Sequence, residues 1–252
     1  AYRAVLFRRL KGLEDIISIA ISASSRKDEG WTYVPEKGCI PDAINGVHYL
    51  HEAYTKADPH YSGRVTVPTL WDKKRGTVVN NESSEIIRIL NTEFNEFGND
   101  LDFYPKEHEQ EINELNDYIY ENINNGVYKS GFATSQNAYE DACKQLFQAL
   151  DKIDRHLAKK TWLCGDKLTE ADIRLFPTIL RFDAVYVSHF KCSLKQIRDY
   201  PNISRHMQQF LKMNEIKHTV NMTDIKTHYY ASHDTINPTG IIPLGPDHTT
   251  RL

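Results

Sequence analysis

The stretch Arg64-Val65-Thr66-Val67-Pro68-Thr69-Leu70-Trp71-Asp72 runs into Gly76-Thr77-Val78-Val79-Asn80-Asn81 and then Glu82-Ser83-Ser84-Glu85-Ile86-Ile87-Arg88, and its reading decides the fold. The β-branched and aromatic residues flanking Lys73-Lys74-Arg75-Gly76 predict two strands joined by a hairpin-like turn. Pro68 has no amide to give a ladder, so it belongs at the start or edge of a strand. Two readings of Val67-Pro68 stay open. One is a trans proline that opens the strand. The other is a cis bond, which turns the Val67 amide and carbonyl outward to pair with an extended peptide. Glu82 to Leu90 predicts a helix. Its first amides are free and its dipole end is positive, so a carboxylate is favoured there.

Working outward, Val5, Leu6, Leu10 and Leu13 have helical spacing, with Gly12 weakening the end. Ile16 to Ser22 is a short β-branched run, read as a strand. Residues 23–44 are polar with Gly and Pro, a long loop, and a short helix is expected ahead of Asp58-Pro59. The order is helix, strand, helix, strand, strand, helix. A compact α/β unit of that order usually starts with a strand, so a leading strand is expected ahead of the first helix.

Asn95 to Lys106 reads as a polar linker, and helical signals dominate after it. From Ser135 to Lys159 an apolar stripe runs through Ala138, Tyr139, Ala142, Leu146, Phe147, Leu150, Ile153 and Leu157. Thr169-Glu170-Ala171-Asp172 has the form of a capping box, with Leu168 and Ile173 placed as a hydrophobic staple. Another helix fits Ile203 to Met213, and the tail from Asn237 is expected to be extended. The expected division is an α/β domain over residues 1–95 and an all-α domain over 107–252.

The composition is that of an ordinary water-soluble chain. Among 252 residues 40% are hydrophobic and 26% charged, and the net charge of −3 is made of mixed signs. That excludes a basic nucleic-acid footprint and a membrane-surface patch. No apolar run reaches the ~20 residues of a membrane span. Cys39, Cys143, Cys164 and Cys192 have neither CxxC nor zinc spacing, so no metal site is expected. They read as reduced thiols of a cytoplasmic protein.

The start of the helix at Glu82 allows a plain N-cap with an acidic first turn. It also allows a ligand site in which Ser83 and its neighbouring amides hold a carboxylate and Glu82 holds an ammonium. An α-carboxylate beside an α-ammonium describes the γ-glutamyl end of glutathione.

With a proline before a strand, Glu-Ser at a helix start and a capped all-α half, the chain resembles a glutathione transferase. RVTVPTLWD, NNESSEIIR, NNGVYKSGFATSQ, LTEADIRLFPTILRFD and INPTG, in that order, resemble the xi class, the glutathionyl-hydroquinone reductases. The resemblance implies an α+β architecture, a thioredoxin-like α/β domain followed by an all-helical domain. It implies glutathione as cosubstrate, with quinone-derived small molecules as the other partner and a homodimer as the assembly. It implies a glutathione site made of Trp31, Arg64, Val67, Pro68, Glu82 and Ser83. It also implies a quinone site lined by Tyr128, Tyr186 and Tyr229, whose hydroxyls can bond the hydroquinone oxygens and supply a proton.

The family's signature is Cys-Pro-Trp-Ala-Tyr/His-Arg at the start of the first helix, and Ala1-Tyr2-Arg3 resembles its last three residues. The nucleophilic cysteine is then expected upstream of Ala1, with its pKa lowered by the helix N-terminus. The chain as it stands is accordingly expected to be inactive in thiol exchange. The competing readings are a non-catalytic glutathione-binding or scaffold module and an omega-like thiol transferase.

Overall fold

The computed structural model describes residues 1–26, 28–34 and 38–247. The chain divides into two compact units. Among the described residues, one comprises 1–101 with 223–242, and the other 102–222 with 243–247. The segment 223–242 therefore packs with the first unit, whereas the sequence reading assigned it to the helical half. The reason is that helix Met222–Ser232 finds its partners in the loop around Trp31, by side-chain contacts that periodicity does not encode.

In the first unit, α1 (Tyr2–Leu10) buries Leu6, Phe7 and Leu10 and packs on α3 (Ser83–Thr92), which answers with Ile86, Ile87 and Leu90. Gly12 adopts φ +67° directly after α1, as a helix stop does. Lys11 is 1% exposed. Its ammonium is bonded by Asn95 Oδ1 at 2.8 Å, the Asn99 carbonyl at 3.1 Å and the Leu101 carbonyl at 2.6 Å, which ties the segment after α3 to the end of α1. α2 (Leu50–Ala57) starts where the Glu52 carboxylate accepts the amides of His48 and Tyr49, at 2.8 and 3.0 Å. These two bonds hold the Glu52 carboxyl below its ordinary pKa.

The predicted hairpin forms. β1 (Leu70–Asp72) and β2 (Thr77–Asn80) are antiparallel, with an irregularity between Leu70 and Trp71. Asp72 makes the turn by accepting from the Lys74 and Arg75 amides at 2.8 and 2.9 Å, and Gly76 supplies the φ of +65°. The run from Ile16 to Ser22 is not a strand. Only Ile21 pairs, in a single bridge with Ile40, and Ile16 and Ile21 are exposed. β-branching states a preference for extended backbone, but a strand needs a ladder, and one bridge is all these residues find.

The second unit is helical: α4 (Glu109–Ile119), α5 (Gly126–Gly131), α6 (Gln136–Leu157), α7 (Glu170–Arg181), α8 (Pro201–Lys212) and α9 (Asn214–Lys217), with α10 (Met222–Ser232) following. The stripe on α6 is buried from Cys143 to Leu157, while its first member, Ala138, is exposed. The capping box of α7 forms. Asp172 Oδ2 accepts from both the amide and the hydroxyl of Thr169, each at 2.9 Å. α4 and α7 each run into one turn of π-helix, Tyr120–Asn124 and Phe182–Tyr186. Thr178 donates to Asn124 Oδ1 at 2.6 Å, joining the first of these turns to the middle of α7. Among the described residues no helix is long and apolar enough to cross a membrane.

Candidate functional site

The Val67-Pro68 bond is cis, the second of the two readings open in the sequence. Tyr54, buried on α2, sits under this turn. Its hydroxyl donates to the Thr66 carbonyl at 3.1 Å and lies 3.0 Å from the Thr69 hydroxyl. Among the described residues no hydrogen bond reaches the Val67 amide or carbonyl. Unpaired backbone at the surface of a small sheet is a ready partner for an extended peptide. The sequence reading missed Tyr54. Its signal was the i, i+3, i+4 pattern of Leu50, Ala53 and Tyr54, which said buried face and not what the hydroxyl reaches.

Glu82 is the N-cap of α3. Its Oε1 accepts from the Ser84 amide at 3.2 Å and from the hydroxyls of Ser84 and Ser83 at 3.2 and 3.4 Å. The plain N-cap reading is thus realised, but all three bonds run to one oxygen. No bond within the described residues reaches the Ser83 amide, the first of the helix. An exposed carboxylate beside a free helix-start amide can take an ammonium and a carboxylate side by side.

Trp31 is half-buried and packs on the cluster of Leu50, Ala53 and Tyr54. One face of its indole is taken by the His228 imidazole, with ring centres 5.3 Å apart. Arg64 is exposed, and its carbonyl accepts the Tyr61 hydroxyl at 2.8 Å. Trp31, Val67 and Pro68 thus gather around α2 and its turn, with Glu82 and Ser83 at the start of α3 in the same unit.

Tyr128 and Tyr186 come together in the helical unit. Their ring centres are 6.2 Å apart, and both pack on Phe190, at 5.3 and 5.5 Å. Tyr128 is 40% exposed and Tyr186 2%, so the pair presents one ring outward and holds the other as backing. Each follows or ends a π-turn, a feature that re-registers a helix and is frequent at functional sites. Gly131 makes room for this cluster, since a Cβ there would lie 2.2 Å from Phe190 Cγ. Tyr229 is on α10 in the first unit, edge-on to His228 and His233 at 5.2 and 5.8 Å.

Cys143, Cys164 and Cys192 are buried and Cys39 is partly so. Burial pushes the Cys164 thiol up to about 11 and the Cys192 thiol up to about 12. Neither is a nucleophile near neutral pH. Among the described residues no group of three His, Cys, Asp or Glu could hold a metal.

Comparison with known proteins shows the family. Residues 1–93 match the family model of the glutathione S-transferase N-terminal domain, and 136–209 that of the C-terminal domain. The chain is 52% identical over 247 residues to the glutathionyl-hydroquinone reductase PcpF of Sphingobium chlorophenolicum, spanning 98% of this chain and 79% of that protein. The glutathione-bound structure of YqjG from Escherichia coli K-12 matches with a TM-score of 0.95 at 48% identity, over 98% of this chain and 81% of that one. The glutathione S-transferase Xi of Phanerochaete chrysosporium matches with a TM-score of 0.94 at 47% identity, over 98% and 86%. The chain belongs to the glutathione S-transferase family, in its xi class.

Proposed function

We propose that this protein reduces glutathionyl-hydroquinones to hydroquinones at the expense of glutathione. The observation that carries the reading is the unpaired Val67 backbone together with the Glu82–Ser83 helix start, in a chain so similar to a glutathionyl-hydroquinone reductase. Val67 pairs with the peptide backbone of glutathione as a strand would. The Ser83 amide takes the γ-glutamyl carboxylate and Glu82 its ammonium. Trp31 covers the tripeptide with the exposed part of its indole, and Arg64 meets a carboxylate. The residues 1–95 hold glutathione, and 107–252 supply most of the helical domain.

The reaction is a thiol exchange. A thiolate attacks the glutathionyl sulfur, and the carbon–sulfur bond breaks with its electron pair going to the ring. The ring carbon takes a proton as hydroquinone leaves, and an enzyme–glutathione disulfide remains. A second glutathione thiolate resolves it and gives glutathione disulfide. Tyr128, Tyr186 and Tyr229 bind the hydroquinone oxygens, and one of them delivers the proton. A homodimer working in the cytoplasm completes the reading.

The test is an assay of the purified protein. It is given glutathionyl-hydroquinone and glutathione, and glutathione disulfide is followed through glutathione reductase. One disulfide per hydroquinone released is expected. Glutathione binding without turnover would favour the non-catalytic binding module instead.

A further inference from the structure

The side chain lying on Trp31 belongs to α10, nearly two hundred residues further along the chain. The imidazole of His228 is stacked on the indole at 5.3 Å, with the planes 23° from parallel. Its Nδ1–H donates to the Ser24 carbonyl at 3.1 Å, which fixes the ring edge against the loop that leads to Trp31. The same helix grips that loop twice more. Ser232 Oγ accepts the Arg26 amide at 2.9 Å, and the Asp224 carboxylate lies so close to Gly38 that a Cβ there would come 2.7 Å from Oδ2. Gly30, immediately before Trp31, has φ +79°, so the backbone leading into the indole turns sharply. The half-buried indole packs on the Leu50, Ala53 and Tyr54 cluster and carries the His228 ring.

We infer that His228 is a positioning residue for the glutathione site: it fixes the plane of the Trp31 indole. This rests on the reading of Trp31 as a glutathione contact. The exposed part of the indole is then presented in one orientation, and the ligand does not bear the entropy of ordering it. Tyr229 follows His228 directly, its ring edge-on to the imidazole at 5.2 Å with the planes 72° apart. The helix that carries the ring on the glutathione-side tryptophan therefore also carries the tyrosine assigned to hydroquinone.

Calorimetric titration of glutathione into the protein and into His228→Ala, His228→Gln and His228→Phe tests this, with thermal melting run on each. A stacked aromatic contact is worth about three- to tenfold in affinity. The alanine and glutamine variants are expected to bind glutathione about three- to tenfold more weakly. The phenylalanine variant loses the bond to Ser24 but keeps the ring, and is expected to recover most of the affinity. A purely structural role predicts lower melting temperatures with unchanged affinity, and that result overturns the proposal. So does a phenylalanine variant as weak as alanine. If the unaltered protein binds no glutathione, the functional reading falls and the proposal with it. Equal binding by all four proteins overturns the proposal alone.

Discussion

The hydroxyls of Tyr54 and Thr69 lie 3.0 Å apart, and both point at the carbonyl oxygen of Thr66, at 3.1 and 2.9 Å. A buried tyrosine of α2 thereby shapes the turn that offers the Val67 backbone. Tyr54→Phe removes two of these three contacts and leaves the Thr66 carbonyl with the Thr69 hydroxyl. A loss of about 1 kcal/mol in stability is expected from chemical denaturation. The KM for glutathione should rise while kcat stays near its original value, because the change falls on binding.

In the helical unit His206 Nε2 and Asp172 Oδ1 are 2.8 Å apart and both residues are fully buried. The same carboxylate accepts the Leu163 amide at 2.8 Å and both donors of Thr169. Asp172→Ala leaves these donors unpaired in the interior. About 3–5 kcal/mol should be lost in urea unfolding. A variant that melts like the parent would mean the network is idle.

Gly131 touches the tyrosine cluster without contributing to its chemistry. Gly131→Ala puts a methyl 2.2–2.8 Å from the Cγ, Cδ1 and Cβ atoms of Phe190, near the root of that side chain, where it cannot swing away. Phe190 must shift, and Tyr128 and Tyr186 rest on it. About 1–3 kcal/mol of stability should go. The KM for the quinone conjugate should rise more than that for glutathione.

Burial, and then Arg26, lower the pKa of His233, with Asp234 opposing. The folded protein therefore holds this imidazole neutral at a pH where the unfolded chain, near 6.5, takes a proton. Proton uptake favours the unfolded state, so this stability is present above about pH 6.5 and is lost as pH falls through the depressed folded value. His233→Gln should flatten the fall in melting temperature between about pH 7 and 5. An unchanged slope would place the pH sensitivity elsewhere.

Thiol accessibility gives a further check. At pH 8 the native protein should show Cys39 reacting with an aromatic disulfide reagent, while Cys143, Cys164 and Cys192 wait for unfolding. Cys39→Ser should remove the reaction that these four thiols contribute. Rapid modification of Cys192 would contradict a thiol raised to about 12.

Much of this protein was legible without coordinates, because the relevant signals are local. The hairpin at Asp72 to Gly76, the helix start at Glu82, the stripe on α6 and the box at Thr169 each depend on residues within a few positions of one another. Periodicity, turn chemistry and capping report such short-range geometry directly. The run from Ile16 to Ser22 shows where that stops. Its preference for extended backbone was real, but the ladder depended on a partner elsewhere, and only Ile21 met one.

What the sequence by itself determined, then, is the hairpin, the helix start at Glu82, the capped helix at Thr169 and the motif set of the xi class. Only the tertiary structure decided that Val67-Pro68 is cis, that Tyr54 props the turn beside it, and that α10 joins the first unit so that His228 lies on Trp31. The physical reason is sequence separation. Tyr54 acts 12 to 15 residues away, and Trp31 is reached from the far end of the chain. Contacts of that range are settled by packing and by where buried polar groups find partners, and no local pattern of residues records them.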